Sequence, residues 1–277
     1  MLQIGSVSLQ LIDHDEPLRK QLLPQLGAVG SLPGWLQVSL VLSMLAVPLV
    51  VITLVSGNPR LVPAAMVMGS AVTPVTMLGF VYARLGKGTT SVRTIVLTFG
   101  LGATVGLILT MVFGFLIPTL LAPLMAPICE EPAKLAATAI CWWRAGYRNP
   151  AAGCVLGFAA GTGFAVAETA GYVFEASMEG GAGAGVFVLV LRSVLGPASH
   201  GVWTALSASA WFQVGWQLRG NWQPVFGRAI LFAVALHALW NINWPWGTFS
   251  SLIASAFCFA MILRSRGAWR PVWRLSV

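Results

Sequence analysis

The chain has 277 residues, of which 57% are apolar and only 9% charged, against roughly a quarter charged in an ordinary soluble domain. That balance excludes a water-soluble globule. The net charge of +8, from 16 Lys and Arg against 8 Asp and Glu, does not argue for nucleic acid, because the basic residues sit mostly between apolar runs, where the positive-inside rule puts them.

In chain order, residues 1–34 read as a cytoplasmic N-terminal arm. Residues 1 to 12 lack the basic region of a cleavable signal and run into Asp13, His14, Asp15 and Glu16, so no leader is expected. Apolar runs of about 20 residues follow, the length a helix needs to cross roughly 30 Å of hydrocarbon. The first three, near 35–55, 61–82 and 94–117, form an N-terminal block (35–117) with no ionisable residue inside a span. Runs near 119–143, 150–174, 185–212 and 225–243 make a core from 118 to 245. A last run, 248–263, leads into a tail in which Arg264, Arg266, Arg270 and Arg274 interleave with Trp269 and Trp273, closing the segment 246–277. Such a tail suits anionic lipid headgroups. The expected fold is therefore an all-α polytopic membrane bundle of about eight transmembrane helices. Thirteen basic residues fall on one side of that threading: Arg19, Lys20, Arg84, Lys87, Arg93, Arg144, Arg148, Arg219, Arg228 and the four tail arginines. Arg60, Glu175 and Glu179 fall on the other, which puts both termini in the cytoplasm of a multi-pass protein of the cell membrane. The four cysteines lie in or beside apolar runs without a CxxC pair and read as small core residues.

The residues within spans that hydrocarbon disfavours are Glu130, Glu131, Lys134, Glu168, Arg192, His200 and His237, all between the fourth and seventh runs. Each charge near the bilayer centre costs roughly 2.5 to 3.5 kcal/mol even on a lenient scale. Something must offset that. Ion pairs that hold helices together are one explanation, and Glu130 with Lys134 has the i,i+4 spacing for one. Small residues pack membrane helices at lower cost, however, so a functional site is the better explanation of the cluster. Pro132 directly follows the acidic pair and deprives the Ile128 carbonyl of its donor, so the helix should kink or open there. Glu130 and Glu131 point about 100° apart, so one can face a cavity while the other pairs with a neighbouring helix. In the fifth run Gly153, Gly157, Gly161, Ala165 and Thr169 recur every four residues, a stripe that admits a second helix closely and places Glu168 toward the bundle. Gly196 and Pro197 lie between Arg192 and His200 and predict a bend. His237 and Asn241 are one turn apart on a shared face. Glu168, His237 and Asn241 come within about ten residues, or 15 Å, of the outer ends of their runs, so the group opens toward the extracytoplasmic side.

These motifs resemble a known family. Glu130-Glu131-Pro132-Ala133-Lys134 is similar to the EExxK motif of the PrsW family of intramembrane proteases, Phe164 to Glu168 to its FxxxE motif, Arg192 to His200 to its arginine-to-histidine segment, and His237 to Asn241 to its final Hxxx(D/N) motif. That family belongs to the superfamily of CAAX-prenyl endopeptidases and bacteriocin-immunity proteins, and Asn241 resembles the CAAX branch, where PrsW members commonly carry Asp. The resemblance implies an endopeptidase that hydrolyses a peptide bond of a membrane protein, such as a single-span anti-sigma factor cut on its extracytoplasmic side. In that reading Glu130 or Glu131 activates water, Glu168 or His200 holds the water or passes a proton to the leaving amine, and His237 and Asn241 donate to the oxyanion. Lys134 and Arg192 support by keeping a carboxylate ionised. No cofactor is required by this scheme. The alternative is Zn2+ held by His200, His237 and a glutamate, with a second glutamate as base. From another class, Glu and His in broken helices also build proton-coupled transporters or channels, though the absence of an internal repeat and the confinement of charge to one half argue against it. A scaffold without activity would keep the same residues for packing.

Overall fold

A computed structural model describes residues 2–4, 7–9, 32–116, 122–145, 149–196, 199–214, 222–242 and 245–264. The rest of the arm, Pro118, Arg148, Pro197, Arg219 and the tail beyond Arg264 lie outside the described residues. In the arm, β1 (Leu2–Ile4) and β2 (Val7–Leu9) pair antiparallel, a hairpin the apolar pattern did not anticipate. Every other described element is helical.

α1 (Gly34–Ser56) ends at Gly57, whose φ of 60° lets its N–H return to the Thr53 carbonyl at 3.0 Å. That left-handed closure is the one glycine provides without steric cost. α2 (Val62–Val81) runs into a π-turn at Tyr82–Gly86. α3 (Val92–Leu101) and α4 (Leu107–Leu116) form one rod through a π-turn at Gly102–Gly106. α5 (Ala122–Ala145) carries the acidic pair. It remains helical through Pro127 and Pro132, so the expected opening at the glutamates does not occur. A proline removes one rung of the ladder, and the rungs on either side hold the turn.

α6 (Pro150–Leu195) is two helical arms joined at Gly181, whose φ of 77° and ψ of 178° lie outside the helical range. The second arm folds back on the first: Gly185 meets Ser177, Arg192 meets Thr169, and, in α7 (His200–Val214), Thr204 meets Gly157 and Ala208 meets Gly153. As one partner rises in number the other falls, so the pairing is antiparallel along its whole length. α6 ends at Leu195 and α7 begins at His200; of the two residues expected to bend the chain, Gly196 is still αR and Pro197 lies outside the described residues. α8 (Trp222–Asn241) and α9 (Trp246–Arg264) complete the bundle.

Glycine sets the closest approaches. A Cβ on Gly153 would meet the Ala208 carbonyl at 2.6 Å, on Gly157 the Thr204 carbonyl at 2.5 Å, and on Gly161 the carbonyl of His200. The small-residue stripe is thus the seat of α7. On another face of α6, Gly163 lies against the Phe99 carbonyl, and Gly102 from the π-turn lies against the Ala160 carbonyl. Residues 152–166 are consequently buried without interruption, which makes this arm the axis of the molecule.

The polarity is inverted relative to a soluble protein. Glu131 and Lys134 are 0% exposed, whereas Phe115 is 90% and Val55 84% exposed. That surface is at home in hydrocarbon, and the protein is a multi-pass membrane protein. Five helical stretches among the described residues are long and apolar enough to cross a bilayer: Gly34–Ser56, Pro59–Gly86, Val92–Leu116, Pro150–Gln213 and Trp246–Arg264. The difference from eight has physical sources. Pro150–Gln213 doubles back at Gly181, α5 contains Glu130, Glu131 and Lys134, and the apolar part of α8 is the shorter Val225–Asn241.

Candidate active site

α5, both arms of α6, α7 and α8 bring the ionisable residues into one connected group. On α5, Lys134 donates from Nζ to Glu131 Oε1 at 2.6 Å and lies 3.5 Å from Glu130 Oε2. The same ammonium reaches His200 Nδ1 at 2.9 Å and lies 4.7 Å from the Phe164 ring centroid. Having no lone pair, it must donate to Nδ1. That leaves the proton of neutral His200 on Nε2, which faces Glu168 Oε2 at 3.1 Å.

His237 is fixed differently. Its Nδ1 lies 2.9 Å from Glu131 Oε1, an acceptor when ionised, so Nδ1 carries the hydrogen and Nε2 keeps a lone pair. That Nε2 is 3.7 Å from Glu130 Oε2. A carboxylate orienting an imidazole so that the far nitrogen is open is the arrangement that precedes ligation.

Glu168 is bridged to Arg192 Nη2. The guanidinium is held in turn by Nε donation to Thr169 Oγ1 at 3.0 Å and lies 4.4 Å from the Tyr172 ring centroid. The side chains of Glu168 and Arg192 are 16% and 20% exposed, against 0% for Glu131 and Lys134, so this pair forms the open edge of the group.

Two carboxylate oxygens are buried without a hydrogen bond among the described residues, Glu130 Oε2 and Glu131 Oε2. Glu131 is already engaged through its other oxygen. Glu130 Oε2 has neighbours at 3.5 to 3.8 Å, namely Lys134, His237 Nε2 and His200 Nδ1. The acidic pair therefore divides as its 100° offset requires: one member locked, the other facing the histidines with capacity to spare.

Seven of the eight expected site residues meet in this way. Asn241 does not: it is exposed at the last residue of α8. One turn of helix separates it from His237, and that turn carries it out of the bundle. Sequence reasoning also passed over Trp203. This ring is 0% exposed, stacks on His237 with centroids 4.6 Å apart, and donates Nε1–H to Ser255 Oγ on α9 at 2.8 Å. Its signal was position: a tryptophan inside an apolar run rather than at its end.

Glu130, His200 and His237 each offer a donor atom, and these atoms lie within 4.8 Å of one another. Two histidines and a carboxylate are a common donor set for catalytic zinc, and the orphaned Glu130 Oε2 with the open His237 Nε2 fits such an ion. Both ring nitrogens of His200 are engaged, Nδ1 by Lys134 and Nε2 by Glu168, so one of these partners would have to give way.

A family model described as PrsW family intramembrane metalloprotease matches residues 90–264. The match extends beyond the four motifs to include α3, α4 and α9. No curated protein and no solved structure matches the chain.

Proposed function

The chain belongs to the PrsW family of intramembrane metalloproteases and is a membrane-embedded peptidase; from that premise we propose that it is an endopeptidase cutting a single-span membrane protein at the group centred on Glu130. The observation that carries the reading is Glu130 Oε2, buried, without a hydrogen bond, and facing two imidazoles. Glu131 Oε2 is idle as well, but Glu131 is held through its other oxygen. Glu130 Oε2 instead stands 3.5 to 3.8 Å from an ammonium and two imidazoles, a spacing that a structural ion pair would close up to gain the hydrogen bond.

The chemistry is addition of water to the peptide carbonyl followed by breakage of the C–N bond, with one proton leaving the water and one reaching the amine. Glu131 contributes by holding His237 and Lys134. Glu168 and His200 form the donor–acceptor pair nearest the open edge, suited to passing the proton to the leaving amine. Zinc, if bound, would be held by Glu130, His200 and His237 and would supply a more acidic water. With Glu130 so engaged, Glu168 is the carboxylate left to accept the water's proton. A metal-free reading is favoured by one specific observation, the Lys134 ammonium sitting where it contacts both Glu130 and His200; there Glu130 itself is the base. The family's description and the donor set favour the metal.

Eight membrane crossings with both termini in the cytoplasm of a cell-membrane protein fit the thirteen-to-one distribution of basic residues in the connections. Substrate entry from the extracytoplasmic side fits the partial exposure of Glu168 and Arg192. An anti-sigma factor is the substrate class implied by the resemblance, and placement in the CAAX-protease superfamily goes with it.

The test is co-expression of the wild type and of Glu130→Gln with a panel of tagged single-span membrane proteins. Cleavage of at least one by the wild type and none by the variant supports the reading. Identical patterns for the two chains, with proton-coupled flux in proteoliposomes, would replace it with a transporter. Metal analysis of the purified protein separates the two chemistries: about one zinc per chain, with activity lost to a chelator and restored by zinc, is expected. Activity that survives chelation leaves Glu130 as the base.

A further inference from the structure

A membrane-buried hydrolase needs a reactant that hydrocarbon excludes, and the structure contains a place for it at the edge of the ionisable group. Between α2, α6 and the bend before α7 lies a cavity of about 20 Å3, room for about one water molecule. Ser70 on α2 lines it, together with Thr169, Arg192, Ser199 and His200. His200 thus belongs both to this cavity and to the site.

Ser70 is 2% exposed, and its hydroxyl has no hydrogen-bond partner among the described residues. Hydroxyls on α2 itself and on other helices show how such a group is satisfied within a helix. Thr53, Thr76, Thr98, Thr110 and Ser177 each donate to the carbonyl four residues earlier, at 2.6 to 2.9 Å. Ser70 makes no such bond and lines the cavity instead. A buried hydroxyl without a partner, beside a water-sized space with other polar walls, calls for an ordered water.

We propose that Ser70 holds a water molecule beside His200 and that this water replenishes the one consumed at Glu130. The proposal rests on the hydrolytic reading above and extends it to α2, which lies outside the matched residues 90–264. Ser70 acts as a positioning residue, through the water it binds.

The test compares Ser70→Thr with Ser70→Val, two side chains of nearly equal volume that differ in the hydroxyl. Full-length protein in lipid nanodiscs is subjected to X-ray radiolytic labelling, the probe being bulk water enriched in 18O. Labelling at His200, which is 3% exposed, reports water held nearby. His200 is expected to label in the wild type and in Ser70→Thr, and to lose most of that label in Ser70→Val. With a substrate from the co-expression panel, Ser70→Val is expected to lower kcat about tenfold, the worth of one hydrogen bond, at unchanged KM. Equal behaviour of Thr and Val variants in labelling overturns the water site. A label lost with kcat intact overturns the supply role. A wild type that labels at His200 yet cleaves nothing refutes the proteolytic reading and the supply role while the water site stands.

Discussion

Glu131 divides one oxygen between Lys134 at 2.6 Å and His237 at 2.9 Å, while Glu130 has no contact with Lys134 or either histidine shorter than 3.5 Å. The two should respond differently to the same substitution. Glu131→Gln removes the closest carboxylate from buried Lys134 and leaves it only the 3.5 Å contact with Glu130, so a loss of about 3 kcal/mol in stability is expected, as when one member of a buried pair is removed. Thermal unfolding in detergent measures it. Glu130→Gln removes a weaker contact and should leave the melting temperature near that of the wild type while cleavage falls by at least about 100-fold, the usual contribution of a positioned acid or base. A large loss of stability in Glu130→Gln would mean that this residue is structural. At this scale the sequence was informative, because charge is rare in the chain and each rare charge marks a position. It did not show that Asn241 faces away, since spacing gives the angle around a helix and says nothing of where the bundle ends.

Among the elements, the α6–α7 contact explains why the histidine arrives where it does. The stripe Gly153, Gly157, Gly161 was legible as a packing face, and the structure identifies its partner as α7, with the His200 carbonyl over Gly161. A methyl group at residue 161 has no room. Gly161→Ala should cost about 1 to 3 kcal/mol by overpacking and should reduce cleavage further by displacing His200, whereas Gly171→Ala, with nothing within 4 Å of its added Cβ, should be silent in both assays. Equal effects of the two would show that helix propensity rather than close approach matters here. The role of α9 was not legible: Ser251, Ser255 and Thr248 look like ordinary small residues, yet Ser255 accepts from Trp203 and Ser251 donates to the Leu236 carbonyl one helical turn from the Trp240 carbonyl that takes Thr248. Ser255→Ala is expected to cost about 1 kcal/mol or more by leaving the indole N–H without a partner, read as a lowered melting temperature that Ser255→Thr restores.

Over the whole molecule, apolar runs located most helix ends to within a few residues, because length and hydrophobicity are what a bilayer demands of them; the run 150–174 stopped short of the turn at Gly181, and the run 185–212 took in the ends of two helices, α6 and α7. The runs 150–174 and 185–212 already implied a turn between them; what they could not convey is its place, Gly181, which is a matter of one residue's backbone angle, nor the register in which the two arms pair, Gly185 on Ser177 and Ala208 on Gly153. That turn makes the tolerance of the chain to length change very uneven. Along either arm, one inserted residue would rotate everything beyond it by about 100° and raise it by about 1.5 Å. Arg192 would then miss Glu168, and His200 would miss Lys134. At the exposed turn itself an insertion leaves both arms in step. The site is therefore held by residue count as much as by residue identity, and the chain between Glu168 and Arg192 can lengthen at its tip while its flanks cannot change by one.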